Sequence, residues 1–187
     1  MSKLSLPVFL QKYQGCTRCE LHKTRQNIVF ARGVIPSDIV FCGEAPGKSE
    51  DDLAEPFIGV AGKLLDQIIA ESVPTNIVYS LCNMICCLPT RQDGEISQPD
   101  YDHVMACSER LQDFVELANP KLIVCVGGVA WDYLNPEWKD RIRFHREIPV
   151  VEITHPAAIL RQKEISRPFA IRKCVVTISE AIREHLK

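Results

Sequence analysis

Three polar side chains in this chain each stand where an apolar run stops. Glu44 follows Ile39-Val40-Phe41-Cys42-Gly43, Asn83 lies just beyond Ile77 to Leu81, and His155 follows Pro149 to Ile153. A carboxylate can orient or polarise water, a carboxamide can read a planar hydrogen-bonding edge, and an imidazole can donate to developing negative charge. Each residue taken alone has an ordinary role, since asparagine caps turns and a loop histidine is often satisfied by its neighbours. The three together, at three strand ends, resist that explanation. A fourth group, Cys16-Thr17-Arg18-Cys19, has metal-ligand spacing. Spacing leaves it open among zinc, iron–sulfur and redox roles.

These groups converge only if the backbone brings them together. Ile39 to Cys42 is short and wholly apolar, as a buried parallel strand requires. Gly43-Glu44-Ala45-Pro46-Gly47 then forces a tight turn at its carboxyl end. In an open α/β sheet, ligands bind at that end. Glu50, Asp51 and Phe57 follow just beyond it. Further strands are predicted over 77–81, 122–126, ended by Gly127-Gly128, and 149–153. A helix is expected over 4–14 with Leu6, Phe9 and Leu10 facing inward. Another is marked by the stripe Leu64, Leu65, Ile68 and Ile69. Residues 90–100 read as a polar surface loop. A long helix starts at Tyr101, a short one covers Ala130 to Leu134, and a last one carries Val175, Ile178, Ile182 and Leu186. The expected architecture is α/β, a three-layer α/β/α sandwich around a four-stranded, mostly parallel sheet, in one domain spanning 1–187.

Composition narrows the class. At 187 residues and 46% hydrophobic, the chain can bury a sizeable core. It holds no apolar run long enough to span a membrane, and Leu4 to Leu10 is too short for a signal peptide. Nine cysteines without an export signal point to a reducing compartment, where metal binding outranks disulfides. The net charge of -2 does not advertise a nucleic-acid binder. Locally, however, Arg161, Lys163, Arg167, Arg172 and Lys173 stand against Glu164 alone, a patch able to hold phosphates.

The run GEAPG, then Glu50-Asp51, then Pro56-Phe57-Ile58-Gly59 and Ala61-Gly62, closely resembles the first motif of the uracil-DNA glycosylase superfamily, in its iron–sulfur family 4. Asn83 to Pro89 resembles the family's NVVKCRPP, and His155 to Arg161, HPAAILR, its second motif. The chain departs at Ala54, where glycine is expected, at Leu88, where the family has arginine, and at Ala45, where a better-known branch has a catalytic aspartate. If position 54 needs positive φ, alanine strains the loop by about 1 kcal/mol.

The resemblance implies removal of uracil from DNA by hydrolysis of the N-glycosidic bond. Phe57 would stack on the flipped base and Asn83 would read its edge. Ala45 and Glu50 would line the pocket, Glu50 excluding the methyl group of thymine or helping to hold water. Glu44 would position water and His155 would stabilise the leaving anion. Ile159 or Leu160 would wedge into the duplex while Arg161 and Lys163 hold phosphate. Cys16, Cys19, Cys87 and Cys107 match the family's ligands to a [4Fe–4S] cluster, with structural zinc as the alternative, and such a cluster would tie residues 1–35 to the rest. Cys42, Cys82, Cys86, Cys125 and Cys174 are left over, and most of them sit in apolar runs and read as core. The partner implied is uracil-containing DNA, single- or double-stranded, met by a cytoplasmic, nucleoid-associated monomer of a bacterium, an archaeon or one of their viruses. Two other readings compete: a non-hydrolytic uracil-binding or replication accessory protein, and a small iron–sulfur electron carrier. The carrier would not need Asn83, His155 and Phe57. A related branch traps DNA through a histidine after the second motif, and Gln162 to Pro168 contains none.

Overall fold

The computed structural model describes residues 5–91, 93–135, 137, 142–144 and 147–186. Leu4, where the predicted first helix starts, and the charged 138–141 stretch lie outside them. In chain order the elements are α1 (Leu6–Tyr13), β1 (Ala31–Gly33), β2 (Ile39–Gly43), α2 (Lys48–Leu53), α3 (Val60–Ser72), β3 (Tyr79–Asn83), α4 (Tyr101–Ala118), β4 (Leu122–Val126), α5 (Gly128–Leu134), β5 (Val150–Ile153), α6 (Pro156–Leu160) and α7 (Arg167–His185).

The sheet has the order β1-β3-β2-β4-β5 among the described residues. Four strands are parallel and β1 pairs antiparallel with β3. The sheet is therefore five-stranded, not four-stranded as expected. The extra strand is Ala31-Arg32-Gly33, too short and too polar to carry a strand pattern. From β2 the chain steps outward to β3, then crosses back to β4 and on to β5. The reversal lies between β2 and β4, and a crevice opens at such a point beyond the strand ends.

Alternate residues of the central strands enter opposite cores. Val40, Cys42, Ile123 and Cys125 pack with Phe9, Tyr13, Val104, Leu111 and Phe114 on the α1/α4 side. Ile39, Phe41, Leu122 and Val124 pack with Leu65, Ile68, Ile178 and Ile182 on the α3/α7 side. This period of two in strands buried on both faces makes the three-layer sandwich. Cys42, Cys82, Cys86, Cys125 and Cys174 are all buried, as expected.

Two boundaries moved. In α1 the buried residues are Phe9 and Tyr13, while Leu6 and Leu10 are exposed. The face is set by the Phe9–Tyr13 ring contact at 5.1 Å and by Phe9 against Phe114 at 6.1 Å. Strand β3 runs two residues later than the predicted 77–81, because the Ile77 N–H closes a turn on the Pro74 carbonyl. Asn83 is thus the last residue of the strand rather than a residue beyond it.

Candidate active site

The parallel strands end level with one another. Gly43 of β2 pairs with Asn83 of β3, Cys42 with Cys125 of β4, and Val126 with Ile153 of β5. The next residues, Glu44 and the pair Thr154-His155, therefore emerge at one edge. Glu44 and His155, together with Asn83, line a crevice of about 270 Å³ that also takes in Ala45, Glu50, Phe57, Ile96 and Ser97. That is the small end of ligand sites, fit for one planar base and its water.

Bare backbone lets the pieces approach. A Cβ on Gly43 would sit 2.5 Å from Phe57 Cζ and 2.6 Å from Asn83 Oδ1, so the ring and the carboxamide both rest against it. Gly127, at φ +97, plays the same part for His155, whose Cβ would lie 2.9 Å from any side chain there.

Hydrogen bonding separates the polar groups of the site into two sets. Asn83 is 2% exposed, yet its carboxamide has no hydrogen-bond partner among the described residues. Its amide atoms open on the crevice, where they can bond to a ligand. Glu44 is likewise unbonded, and burial raises its pKa above the usual carboxylate value. His155 Nδ1 accepts from the Ala157 N–H at 3.1 Å. An accepting Nδ1 puts the proton of the neutral ring on Nε2, which is free to donate into the crevice. Burial, then the nearby Arg161 charge, lowers the His155 pKa and keeps the ring neutral.

Glu50 and Asp51 belong to the other set. The Glu50 carboxylate accepts from the N–H groups of Gly47, Ile58 and Gly59 at 2.9–3.1 Å. It lines the crevice, but its oxygens brace the loop instead of facing a ligand freely. Asp51 is buried and accepts from the N–H groups of Gln26 and Asn27, pinning the N-terminal segment to α2. The same loop is gripped from its carbonyl side. Arg32 of β1 donates to Pro56 O at 2.8 Å and Phe57 O at 3.3 Å while pairing with Asp66. These bonds hold Phe57 at φ 58, a conformation that costs an L-residue about 1 kcal/mol or more. Ala54, at φ 57, does occupy the left-handed region at the end of α2, so the expected strain is present.

The predicted DNA-contact residues divide. Ile159 is fully buried in the α3/α7 core and has no part in a surface wedge. Leu160 is half-buried, and Arg161 and Lys163 are exposed. Arg167 stiffens this turn by donating to the carbonyls of Leu160 at 2.9 Å and Gln162 at 3.2 Å. Ile165 and Phe169, 88% and 78% exposed, stand just beyond it as the most exposed large apolar side chains among the described residues. No periodicity in the chain marks them, because exposure is a property of packing. The 90–100 loop is also more than a spacer: Thr90 bridges Ile96, and Ile96 and Ser97 rim the crevice.

The predicted cysteine set gathers on the far side of β3. A narrow cleft is lined by Cys16, Cys86, Cys87, Cys107 and Arg110. Cys19 joins them: burial raises its thiol first, and then the charges of Cys107 and Cys16. Burial likewise pushes Cys87 up to about 11, against a hydrogen bond from Arg25 Nη1 at 3.3 Å. As their side chains are turned, no three metal-ligating groups form a ready cage among the described residues. The chemistry of the donors nonetheless fits an anionic thiolate cluster, because two nitrogens of the buried Arg110 guanidinium, Nε and Nη1, lack any partner beside these thiols.

Residues 30–178 match the family model described as the uracil DNA glycosylase superfamily. This chain belongs to that superfamily. It is 32% identical over 180 residues to the type-4 uracil-DNA glycosylase of Archaeoglobus fulgidus, covering 88% of each chain. To the type-4 uracil-DNA glycosylase of Thermotoga maritima it is 30% identical, over 97% of this chain and 95% of that one. Membership therefore extends to the type-4 branch. The crystal structure of wild-type SMUG2 from Pedobacter heparinus shares the fold, with a TM-score of 0.54 at 15% identity, covering 79% of this chain and 76% of that one.

Proposed function

We propose that this member of the superfamily is a uracil-DNA glycosylase, which flips deoxyuridine out of DNA and hydrolyses its N-glycosidic bond. The observation that carries the proposal is the convergence of three unbonded polar groups, Glu44, Asn83 and His155 Nε2, on one base-sized crevice. A duplex hides the bond, so the base must leave the stack at a cost of a few kcal/mol. In the crevice its ring lies against Phe57. The Asn83 carboxamide accepts from uracil N3–H and donates to O4 in one plane. Cytosine offers a lone pair and an amino group at those places, so both contacts would fail and leave buried groups unpaired. As the bond breaks, negative charge grows on O2. The neutral His155 donates to it from Nε2, an interaction stronger in the transition state than before it. Glu44 orients the attacking water from the strand end beside it.

Leu160 enters the gap left by the flipped base while Arg161 and Lys163 hold phosphate. Ile165 and Phe169 extend that surface with apolar area among basic residues, as stacking on bases requires. Cys16, Cys19, Cys87 and Cys107 would hold a [4Fe–4S] cluster whose contribution is structural, tying residues 1–35 to the body of the fold, since hydrolysis moves no electrons. The substrate and the nine free thiols support a cytoplasmic, nucleoid-associated monomer. Among the described residues, no helix is long and apolar enough to cross a membrane.

Incubation with uracil-containing single- and double-stranded oligonucleotides, then alkaline cleavage, tests the proposal. Strand scission at uracil and not at cytosine is expected. Binding without scission would instead make the chain a non-hydrolytic uracil-binding protein.

A further inference from the structure

Among the described residues, the buried side-chain nitrogens left without a hydrogen-bond partner belong to Arg110. It is 3% exposed on α4, one turn beyond Cys107 and on the same face. Its guanidinium is charged under all ordinary conditions. Nη2 donates to Asn83 O at 2.8 Å and to Met84 O at 2.6 Å. Nε and Nη1 are buried without a hydrogen-bond partner. Among the described residues no carboxylate lies within ion-pair distance of it. Burial opposes its charge. Of the thiols that act on it, Cys86, Cys107, Cys82 and Cys42, only Cys107 belongs to the predicted ligand set, but Arg110 shares one cleft with Cys16, Cys87 and Cys107. Two neutral carbonyls do not compensate a buried cation, which is strongly destabilising unless an anion stands close by.

We propose that Arg110 is a positioning residue that couples the cysteine cleft to base recognition. One edge of its guanidinium neutralises the anionic thiolate cluster, and the other clamps the carbonyls of Asn83 and Met84. This rests on the iron–sulfur reading given above. Asn83 is the last residue of β3, and its carboxamide reaches the crevice from the same backbone that Arg110 holds. With the cluster in place the cation has its counter-charge and the clamp is stable. The cluster thereby fixes where the uracil edge is read without touching the base, a geometric role that suits a reaction needing no redox step. Arg32 performs the equivalent service for Phe57, from β1, the edge strand paired with β3.

The test uses the holoprotein with Arg110→Met and Arg110→Lys, each measured for iron per chain, cluster reduction potential and equilibrium binding of free uracil. Arg110→Met should shift the potential negative, because removing a nearby cation disfavours the more negatively charged reduced cluster. It should also bind uracil about tenfold more weakly, as expected for losing a charge-assisted contact to the backbone that carries Asn83. Arg110→Lys should keep the potential close to wild type but still weaken uracil binding, since an ammonium lacks the planar fork that spans two carbonyls. If Arg110→Met loses its iron or its fold while Arg110→Lys keeps both, the cation's role toward the cluster is supported equally. Iron-replete variants with wild-type potential and wild-type uracil binding would overturn the inference alone. Wild-type protein without iron would overturn the cluster reading and the inference together.

Discussion

Three carboxylates belong to the first motif, and hydrogen bonds distinguish them. Asp51 and Glu50 are held by backbone N–H groups, whereas Glu44 has none and faces the crevice. The sequence placed all three within eight residues of one another, and residue type alone could not rank them. On the proposed mechanism Glu44 must be ionised and His155 neutral. Burial raises the Glu44 pKa above 4.5 and, with Arg161, lowers that of His155 below 6.5. The single-turnover rate should therefore fall on the acid side as Glu44 protonates, at a pH above that of an ordinary glutamate. Glu44→Gln should leave only the acid limb that protonation of His155 produces, a less steep fall, and cost ~10²–10⁴ in rate. Stability should move the other way. Between 4.5 and its raised pKa, the native state binds more protons at Glu44 than the unfolded chain does. Stability is then lost as pH rises through that window, and the variant escapes the loss. Thermal melts should show Tm at pH 8 minus Tm at pH 4 shifted in favour of pH 8 in Glu44→Gln relative to wild type. A wild-type acid limb retained in the variant would move the water-positioning role to another group.

At the scale of elements, the crevice is made by loops that other elements hold down. Arg32 from β1 and Glu50 from α2 grip residues 56–59 from opposite sides, and Arg167 from α7 grips the turn after α6. None of these braces was legible in the sequence. Ala31-Arg32-Gly33 lacks the alternation of a strand, and it pairs with β3 only because that edge is open. Helix periodicity likewise could not separate neighbours in α6, and there the structure assigns opposite fates. Ile159 is in the core and Leu160 is at the rim. Ile159→Ala should destabilise the fold by about 2–5 kcal/mol in denaturant unfolding. Leu160→Ala should leave stability nearly unchanged and reduce activity on duplex more than on single strands, because only a duplex must be unstacked. An equal loss on both substrates would assign Leu160 to the pocket instead of the wedge. What was legible was the strands themselves: runs such as Leu122 to Val126 must be buried on both faces, whatever surrounds them.

Over the whole molecule, the N-terminal segment is fastened at three places that differ in chemistry. Lys12 and Arg18 pair with Glu109 and Asp113 across α1 and α4. Asp51 binds the backbone of Gln26 and Asn27. The third fastening is the cysteine cleft, where Arg25 also spans from Cys87 Sγ to Cys16 O. Exposed ion pairs contribute little, so the first is weak. Beside the burial of Phe9, Tyr13 and Leu21 in the core, the cleft is the fastening that a bound cluster would strengthen. Two adjacent cysteines compete to serve it, and the electrostatic neighbours tell them apart. Cys87 interacts with Cys107 and Cys19, and so with both of the chain segments that supply the other thiols. Cys86, in the same cleft, is acted on first by Arg110 and then by Cys107, Cys87 and Cys82. Purified protein should be brown, with about four iron atoms per chain. Cys87→Ser should lose the iron and, with it, protection of residues 16–30 against proteolysis, while the β2–β5 sheet persists. Cys86→Ser should keep both. The reverse pattern would make Cys86 the ligand, and stoichiometric zinc without visible absorption in wild-type protein would replace the cubane with a structural metal site.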